Sequence, residues 1–347
     1  MPTAPIAIVD DTRFDAHADS SGQHPECPER LLAARSGLYG RLPETEREKL
    51  TVRPATPVEL ARMHSPEYLA SLNVRLREGH GDLDGDTYFS PGTREAAWLA
   101  AGGAIDLTKQ LLGGAAKRGV ALLRPPGHHA MPDTSMGFCV FNNVALAASE
   151  ALAQGLTRVA IVDWDVHHGN GTQDMFYRDP RVLFVSLHQY PFYPGTGAPH
   201  EIGTGAGAGF TANLALPGGS GDEAYGAAFR QVVMPVLRAY APELVLVSAG
   251  FDAHARDPLA QMQLSSATYC AMAGALIDLV DTIGHGRIGF VLEGGYDLQA
   301  IEASVAQVAA ALQGTRLELP LGAIPERAEL AIEASRRALA GQWAGLW

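Results

Sequence analysis

Short, largely apolar runs recur along the chain, each followed by a polar exit and then by a stretch of helical periodicity. Ile6–Val9, Val120–Leu123, Val159–Val162, Val182–Leu187, Leu244–Ser248 and Arg287–Leu292 are such runs. Their shortness and near-continuous apolarity predict strands buried on both faces. Between them, apolar spacing predicts helices from Pro28-Glu29 through Leu38, from Ser65-Pro66 through Leu72, and from Thr93 to about Leu112. Further helices are expected from Asn142 through Leu152, from an Asp222 cap through Val236, from Ser265 to Asp281, from Leu298 to Leu312 and from Pro325 to about Leu339. Ser65 before Pro66 is a cap followed by proline at the first helical position, and Gly113-Gly114 is a helix stop. Strands alternating with helices predict one α/β domain with a central, mostly parallel sheet flanked by helices. No proline-rich linker or composition shift divides the 347 residues, so the expected core runs over about 5–315, with a C-terminal helical segment over 320–345.

In such sheets ligands gather beyond the carboxyl ends of the strands, which directs attention to the exits. Ile161-Val162 runs straight into Asp163-Trp164-Asp165-Val166-His167-His168-Gly169-Asn170, and a sheet interior does not tolerate such acids and imidazoles unpaired. Side chains of an extended segment alternate, so Asp163, Asp165 and His167 are expected on one face, with Trp164 and Val166 on the other. Three further strands exit into Arg124-Pro125-Pro126-Gly127-His128-His129, Gly250-Phe251-Asp252 and Glu293-Gly294-Gly295-Tyr296. His17 and His24, in a polar stretch over 10–26, are expected at the surface, as is Arg30; His64 is expected to pack or to bond backbone. Asp82, Asp84 and Asp86 lack the complete pattern of a calcium loop and read as solvated acids. The glycine-rich stretch 191–209, with Phe192 and Tyr193, is long enough to form a rim or lid.

Asp165, His167 and Asp252 together offer one nitrogen and two carboxylates at strand exits. That set suits zinc in an open catalytic site better than magnesium, which prefers an oxygen shell, or iron(II), which would want a second imidazole. A divalent ion there polarises a carbonyl and acidifies a water molecule. His128 and His129 are the candidates to move protons, Asp163 and Asn170 the acceptors that would orient them, and Tyr296 a donor to a developing oxyanion. The chemistry this describes is hydrolysis of an amide.

Composition narrows the partners. With 47% hydrophobic and 18% charged residues and a net charge of −12, the chain has the makings of a large core and no general affinity for nucleic acid or anionic membranes. A cationic substrate would be attracted. Cys27, Cys139 and Cys270 are too few and too scattered for a disulfide framework. With no export signal and no run approaching a membrane span, a soluble cytoplasmic protein is expected. Nothing in the sequence decides against a homo-oligomer.

Taken in order, His24-Pro25-Glu26 with Pro28-Glu29-Arg30, Arg124–Ala130, Gly137-Phe138-Cys139-Val140-Phe141-Asn142-Asn143, Asp163–Gln173, Gly250–His254 and Glu293–Tyr296 form a series of blocks too specific for chance. On these blocks the sequence resembles the histone deacetylase and acetylpolyamine amidohydrolase superfamily, above all its class II branch, which includes bacterial deacetylase-like amidohydrolases. The resemblance implies the arginase/deacetylase fold and a zinc ion on Asp165, His167 and Asp252. It implies proton transfer by His129, paired with Asn170, beside His128, paired with Asp163, and a carbonyl bound by zinc and Tyr296. It also implies an acyl-lysine channel between Phe138 and Tyr193, with Gly137 and Leu259 on the substrate path and Arg30 behind its inner end. A structural potassium ion is implied near Asp163, Asp165, His167, Ser186 and Leu187. Gly169 stands where the two-manganese branches carry another ligand, and Leu259 stands where a polyamine-selective branch has a gatekeeping glutamate. The expected substrate is therefore an acylated lysine peptide or a similar small acylated amine. The alternatives are an acetylpolyamine amidohydrolase and a catalytically silent acyl-lysine binding protein.

Overall fold

Apolar runs with no polar face can be satisfied only inside a covered sheet, and that is where they lie. The computed structural model describes residues 5–347. Among the described residues the strands are β1 (Ile6–Val9), β2 (Arg47–Lys49), β3 (Gly81–Asp82), β4 (Tyr88–Phe89) and β5 (Arg118–Ala121), then β6 (Val159–Asp163), β7 (Val182–Gln189), β8 (Thr211–Leu216), β9 (Leu244–Ala249) and β10 (Ile288–Leu292). Eight form one sheet in the order β2-β1-β5-β10-β9-β6-β7-β8, with every adjacent pair parallel, while β3 and β4 make a separate antiparallel hairpin. All residues of β6, β7, β9 and β10 are buried.

Helices Thr93–Gly113 and Asn143–Ala153 pack together on the sheet, and Glu29–Arg41, Leu298–Leu312 and Ser266–Ile283 form a second packed group. The C-terminal helix Glu326–Leu339 covers the β8 edge, where Ser335 Oγ donates to the Asn213 carbonyl at 2.6 Å. A covered edge cannot recruit another strand. No helix among the described residues is long and apolar enough to cross a membrane. The three cysteines are free thiols.

Two local expectations are corrected. Asp222 is the first residue of its helix, not the cap; Gly221 holds the cap position, and Asp222 Oδ1 accepts instead from Ser265 N at 2.8 Å. The helix beyond it is not continuous: a π-helical turn, Phe229–Val233, separates Asp222–Ala228 from Met234–Tyr240. Pro235, in the first turn of the latter, has no N–H to continue the ladder, so the preceding carbonyls must pair differently.

Candidate active site

The acids that leave β6 shape their own backbone. Asp163 Oδ1 accepts from Asp165 N at 3.1 Å, and Asp165 Oδ1 from His167 N at 2.9 Å. Each carboxylate thus turns the chain two residues on. Trp164 and Val166 go into the core, as alternation requires, and Val166 N donates to Asp252 Oδ1 at 2.8 Å, tying the β6 exit to the β9 exit. Asp165, His167 and Asp252 then offer ligand atoms that all lie within 4.8 Å of one another. His167 Nδ1 is 3.2 Å from both Asp165 Oδ1 and Asp252 Oδ2. Burial would pull the His167 pKa down, but the close approach and the charges of the two carboxylates push it up to about 10. Burial and the charge of Asp165 raise the Asp252 carboxyl; burial acts the same way on Asp165, where the charges of His128 and His167 overcome it and hold the group low.

This group fits a metal ion on two observations. Asp252 Oδ2 is buried with no hydrogen-bond partner, a costly state that a cation relieves. Glycine, moreover, occupies positions 250 and 294, where a Cβ would run into the oxygens of Asp165 or of both acids.

The β5 exit supplies the histidines. Glu293 Oε2, at the end of β10, accepts from Gly127 N at 2.6 Å and His128 N at 3.1 Å, fixing the loop. His128 Nδ1 donates to Asp163 Oδ2 at 2.9 Å, and His129 Nδ1 to Asn170 Oδ1 at 2.7 Å; the two rings lie 4.0 Å apart. Their partners set them apart. Burial lowers the His128 pKa, yet the charges of Asp163 and Asp165 outweigh it and hold the imidazole well above its ordinary value. His129 has only a neutral amide, so burial, followed by the charges of His128 and His167, drives it well below. Asp163 thus favours the cationic form of one imidazole and Asn170 the neutral form of the other, whose Nε2 is left to accept a proton.

A cavity of about 230 Å³ opens over this floor. Phe192 stacks on His167 at 5.4 Å, Tyr193 meets His129 edge-on at 5.2 Å, and Phe138 meets Tyr296 edge-on at 5.8 Å. Gly137 and Leu259 complete the expected lining. Phe138 has φ +68°, a strained value for an aromatic residue. It is held by Phe138 N donating to Thr87 Oγ1 and Gly137 N donating to Asp86 Oδ1, both at 3.0 Å.

The structure changes the reading of several residues. Asp86 lines the cavity rather than standing free in solvent: Asp84 Oδ1 accepts from Asp86 N and Thr87 N and turns the loop inward. Asp82 is exposed, as expected. Arg30 is buried, not solvent-facing, and does not line the cavity. Its guanidinium lies 5.0 Å from the Tyr296 ring centre and donates to Gly295 O at 2.6 Å, Glu26 Oε1 at 2.9 Å and the Glu293 carbonyl. His17 is also buried, stacked flat on Tyr88 at 4.4 Å and 3.4 Å from Glu26. His64 behaves as expected, bonding Met131 O and accepting from Asn142 N. Ser186 sits beside Asp163 in the β6–β7 register, its hydroxyl bonded to His188 Nδ1 at 2.9 Å, and Leu187 is buried next to it.

Sequence reasoning gave no role to Glu26, although its motif was noted. This fully buried carboxylate joins Arg30, Arg124 and His17; burial raises its pKa, and the Arg124 and His17 charges and bonds more than reverse that. The four-residue spacing to Arg30 was the available signal.

Comparison with known proteins places this geometry. Residues 24–312 match the histone deacetylase domain family. The chain is 41% identical to a histone deacetylase-like amidohydrolase of Pseudomonas aeruginosa, over 86% of this chain and 78% of that one. It is equally similar, at 41%, to a probable deacetylase of Archaeoglobus fulgidus, over 81% and 79%. A crystal structure of an HDA15 HD domain superposes with a TM-score of 0.93 at 36% identity, covering 99% of this chain and 96% of the other.

Proposed function

The chain belongs to the histone deacetylase family, and from that premise we propose that it is a zinc-dependent amidohydrolase removing acyl groups from lysine side chains or similarly long acylated amines. The observation that carries this reading is the Asp165–His167–Asp252 group, with its orphaned carboxylate oxygen, beside two imidazoles of opposite protonation preference. Zinc bound by those three residues would supply Lewis acidity to the scissile carbonyl and to the attacking water. His129, neutral and oriented by Asn170, accepts the proton released as water attacks and passes it to the leaving amine. His128, kept cationic by Asp163, adds positive charge beside the developing oxyanion. Tyr296 donates its hydroxyl to that oxyanion, its ring backed by Arg30. Phe138, Phe192 and Tyr193 enclose a methylene stem and exclude water. A potassium ion beside Asp163, Asp165, His167, Ser186 and Leu187 belongs to the same reading, supported by the buried Asp163 carboxylate and its register with Ser186.

An acetylpolyamine substrate is the second reading, favoured by Asp86, an acid at the cavity where a secondary ammonium could meet it. Elemental analysis of the purified protein, with turnover of an acetyl-lysine peptide against acetylputrescine and acetylspermidine, tests both. The expected result is zinc near one equivalent and preference for the peptide. A polyamine kcat/KM more than about tenfold above the best peptide would reverse the order. No turnover of any acylated amine by zinc-loaded protein would leave only acyl-lysine binding.

A further inference from the structure

Asp257, in the loop between Asp252 and the helix Ser266–Ile283, is a buried carboxylate that none of the chemistry above uses. Its Oδ1 accepts from Leu259 N at 3.0 Å, and its Oδ2 accepts from Tyr296 N at 2.6 Å and Asp297 N at 3.4 Å. Leu259 and Tyr296 both line the cavity, yet they come from different exits, those of β9 and β10. One carboxylate therefore ties two walls together. Its own backbone is anchored, since Asp257 N donates to His254 O at 2.9 Å and Ala255 N to Leu264 O at 2.9 Å.

The tie falls where the chain most needs one. Tyr296 follows Gly294-Gly295, with Gly295 at φ +118°, so the backbone leading to the tyrosine has little conformational preference of its own. On the far side Asp297 caps the helix Leu298–Leu312, accepting from Ala300 N at 2.8 Å. Arg30 backs the Tyr296 ring but bonds only to neighbouring carbonyls and Glu26, not to the Tyr296 amide. Burial and the charge of Asp252 push the Asp257 carboxyl up to about 7, and bonds from the three backbone N–H groups pull the other way.

We propose that Asp257 is a positioning residue, holding the Tyr296 backbone and the Leu259 wall in a common register so that the tyrosine hydroxyl meets the substrate carbonyl. The inference rests on the oxyanion role proposed for Tyr296. Misplacement of a reacting group by about 1 Å is enough to cost up to about 100-fold in rate. The test uses the full chain loaded with zinc and an acetyl-lysine peptide, comparing wild type with Asp257→Asn, Tyr296→Phe and the double variant. Asp257→Asn should lower kcat about 10- to 100-fold with KM within about twofold, and should add less than about twofold to the loss from Tyr296→Phe, because the clamp acts through that hydroxyl. Asp257→Glu, which keeps the acceptors, should recover part of the rate. A kcat for Asp257→Asn within about threefold of wild type, or a fully multiplicative loss in the double variant, would overturn the proposal. Near-wild-type activity of Tyr296→Phe alone would instead remove the premise, and the proposal with it. Should the Asp257 variants fail to fold, amide hydrogen exchange of the wild-type protein decides: the Tyr296 N–H should be strongly protected, and exchange at the rate of an open loop would overturn the clamp.

Discussion

The two adjacent histidines differ less in position than in what faces them. An Asp163 carboxylate favours the cationic form of His128, and an Asn170 amide favours the neutral form of His129. Exchanging amide for acid at 170 should raise the His129 pKa, so the acidic limb of the kcat/KM profile of Asn170→Asp should move to higher pH, because more acid-side enzyme then carries a proton on its base. An unshifted limb would mean that His129 is not the titrating base. In the proposed mechanism Tyr296→Phe removes a donor whose contribution would come only as the oxyanion forms, worth about 3 to 4 kcal/mol. Its kcat should fall by about two to three orders of magnitude with little change in substrate affinity, and a normal kcat in the folded, metal-loaded variant would refute that role. At this scale the readable residues were those whose partners lie close in sequence: Asp163, Asp165 and His167 share a spacing and a strand exit. Glu26 meets Arg124, 98 residues away, and Asp257 meets Tyr296, 39 residues away; no local pattern encodes such pairings. Whether Asp86 faces solvent or the cavity is not legible in the sequence, because its direction depends on a turn built by Asp84.

Strand exits work as site-builders here because glycine leaves room for side chains to converge. Gly294, after β10, faces Asp252 and Asp165, and its N–H donates to Asp165 Oδ2 at 2.8 Å. A methyl group at 294 has nowhere to go but into the carboxylates, so Gly294→Ala should abolish metal binding while leaving most of the thermal stability, which resides in the sheet and its helices. Metal content and Tm measured on one sample check this, and full metal occupancy would contradict it. Asp252→Ala should behave alike, losing metal and activity while the fold persists, since the bond lost from Val166 N is offset by relief of the repulsion between the buried Asp252 and Asp165 carboxylates. The elements themselves were legible in the middle of the sheet and not at its borders. β10 is apolar throughout and β6 and β9 are apolar but for Asp163 and Ser248 near their ends, whereas β2, Arg47-Glu48-Lys49, is a half-solvated edge whose residues carry no strand signature. β8 mixes Thr211 and Asn213 with aliphatics and depends on the C-terminal helix for its cover. The expected strand over 120–123 is displaced to Arg118–Ala121, with Leu122 N still bonded to Val9 O. A propensity reading cannot place that boundary, because neighbouring strands end the ladder there.

A parallel sheet brings all its carboxyl ends to one edge, so the exits of β5, β6, β9 and β10 meet although long stretches of sequence separate them. The same layout leaves the cavity, with Asp86 in its lining, open to whatever field the rest of the surface creates. That field is negative: 38 acidic residues against 26 basic ones give −12. Long-range attraction of this kind acts on encounter and is screened over about 8 to 10 Å at ordinary ionic strength, while the chemistry on the cavity floor is buried beyond its reach. An acetyl-lysine peptide flanked by lysine and arginine should therefore show a higher kcat/KM than the same peptide flanked by glutamate. The advantage should shrink severalfold as salt rises from about 0.02 M to about 0.5 M, with kcat nearly constant for both. Charge cannot rank a lysine peptide above acetylspermidine, since both are cations; that ordering depends on the apolar walls and on Asp86. Steady-state kinetics over a salt series make the separation directly. Equal kcat/KM for the two peptides at low salt, or a salt effect carried by kcat, would show that the acidic surface plays no part in substrate capture.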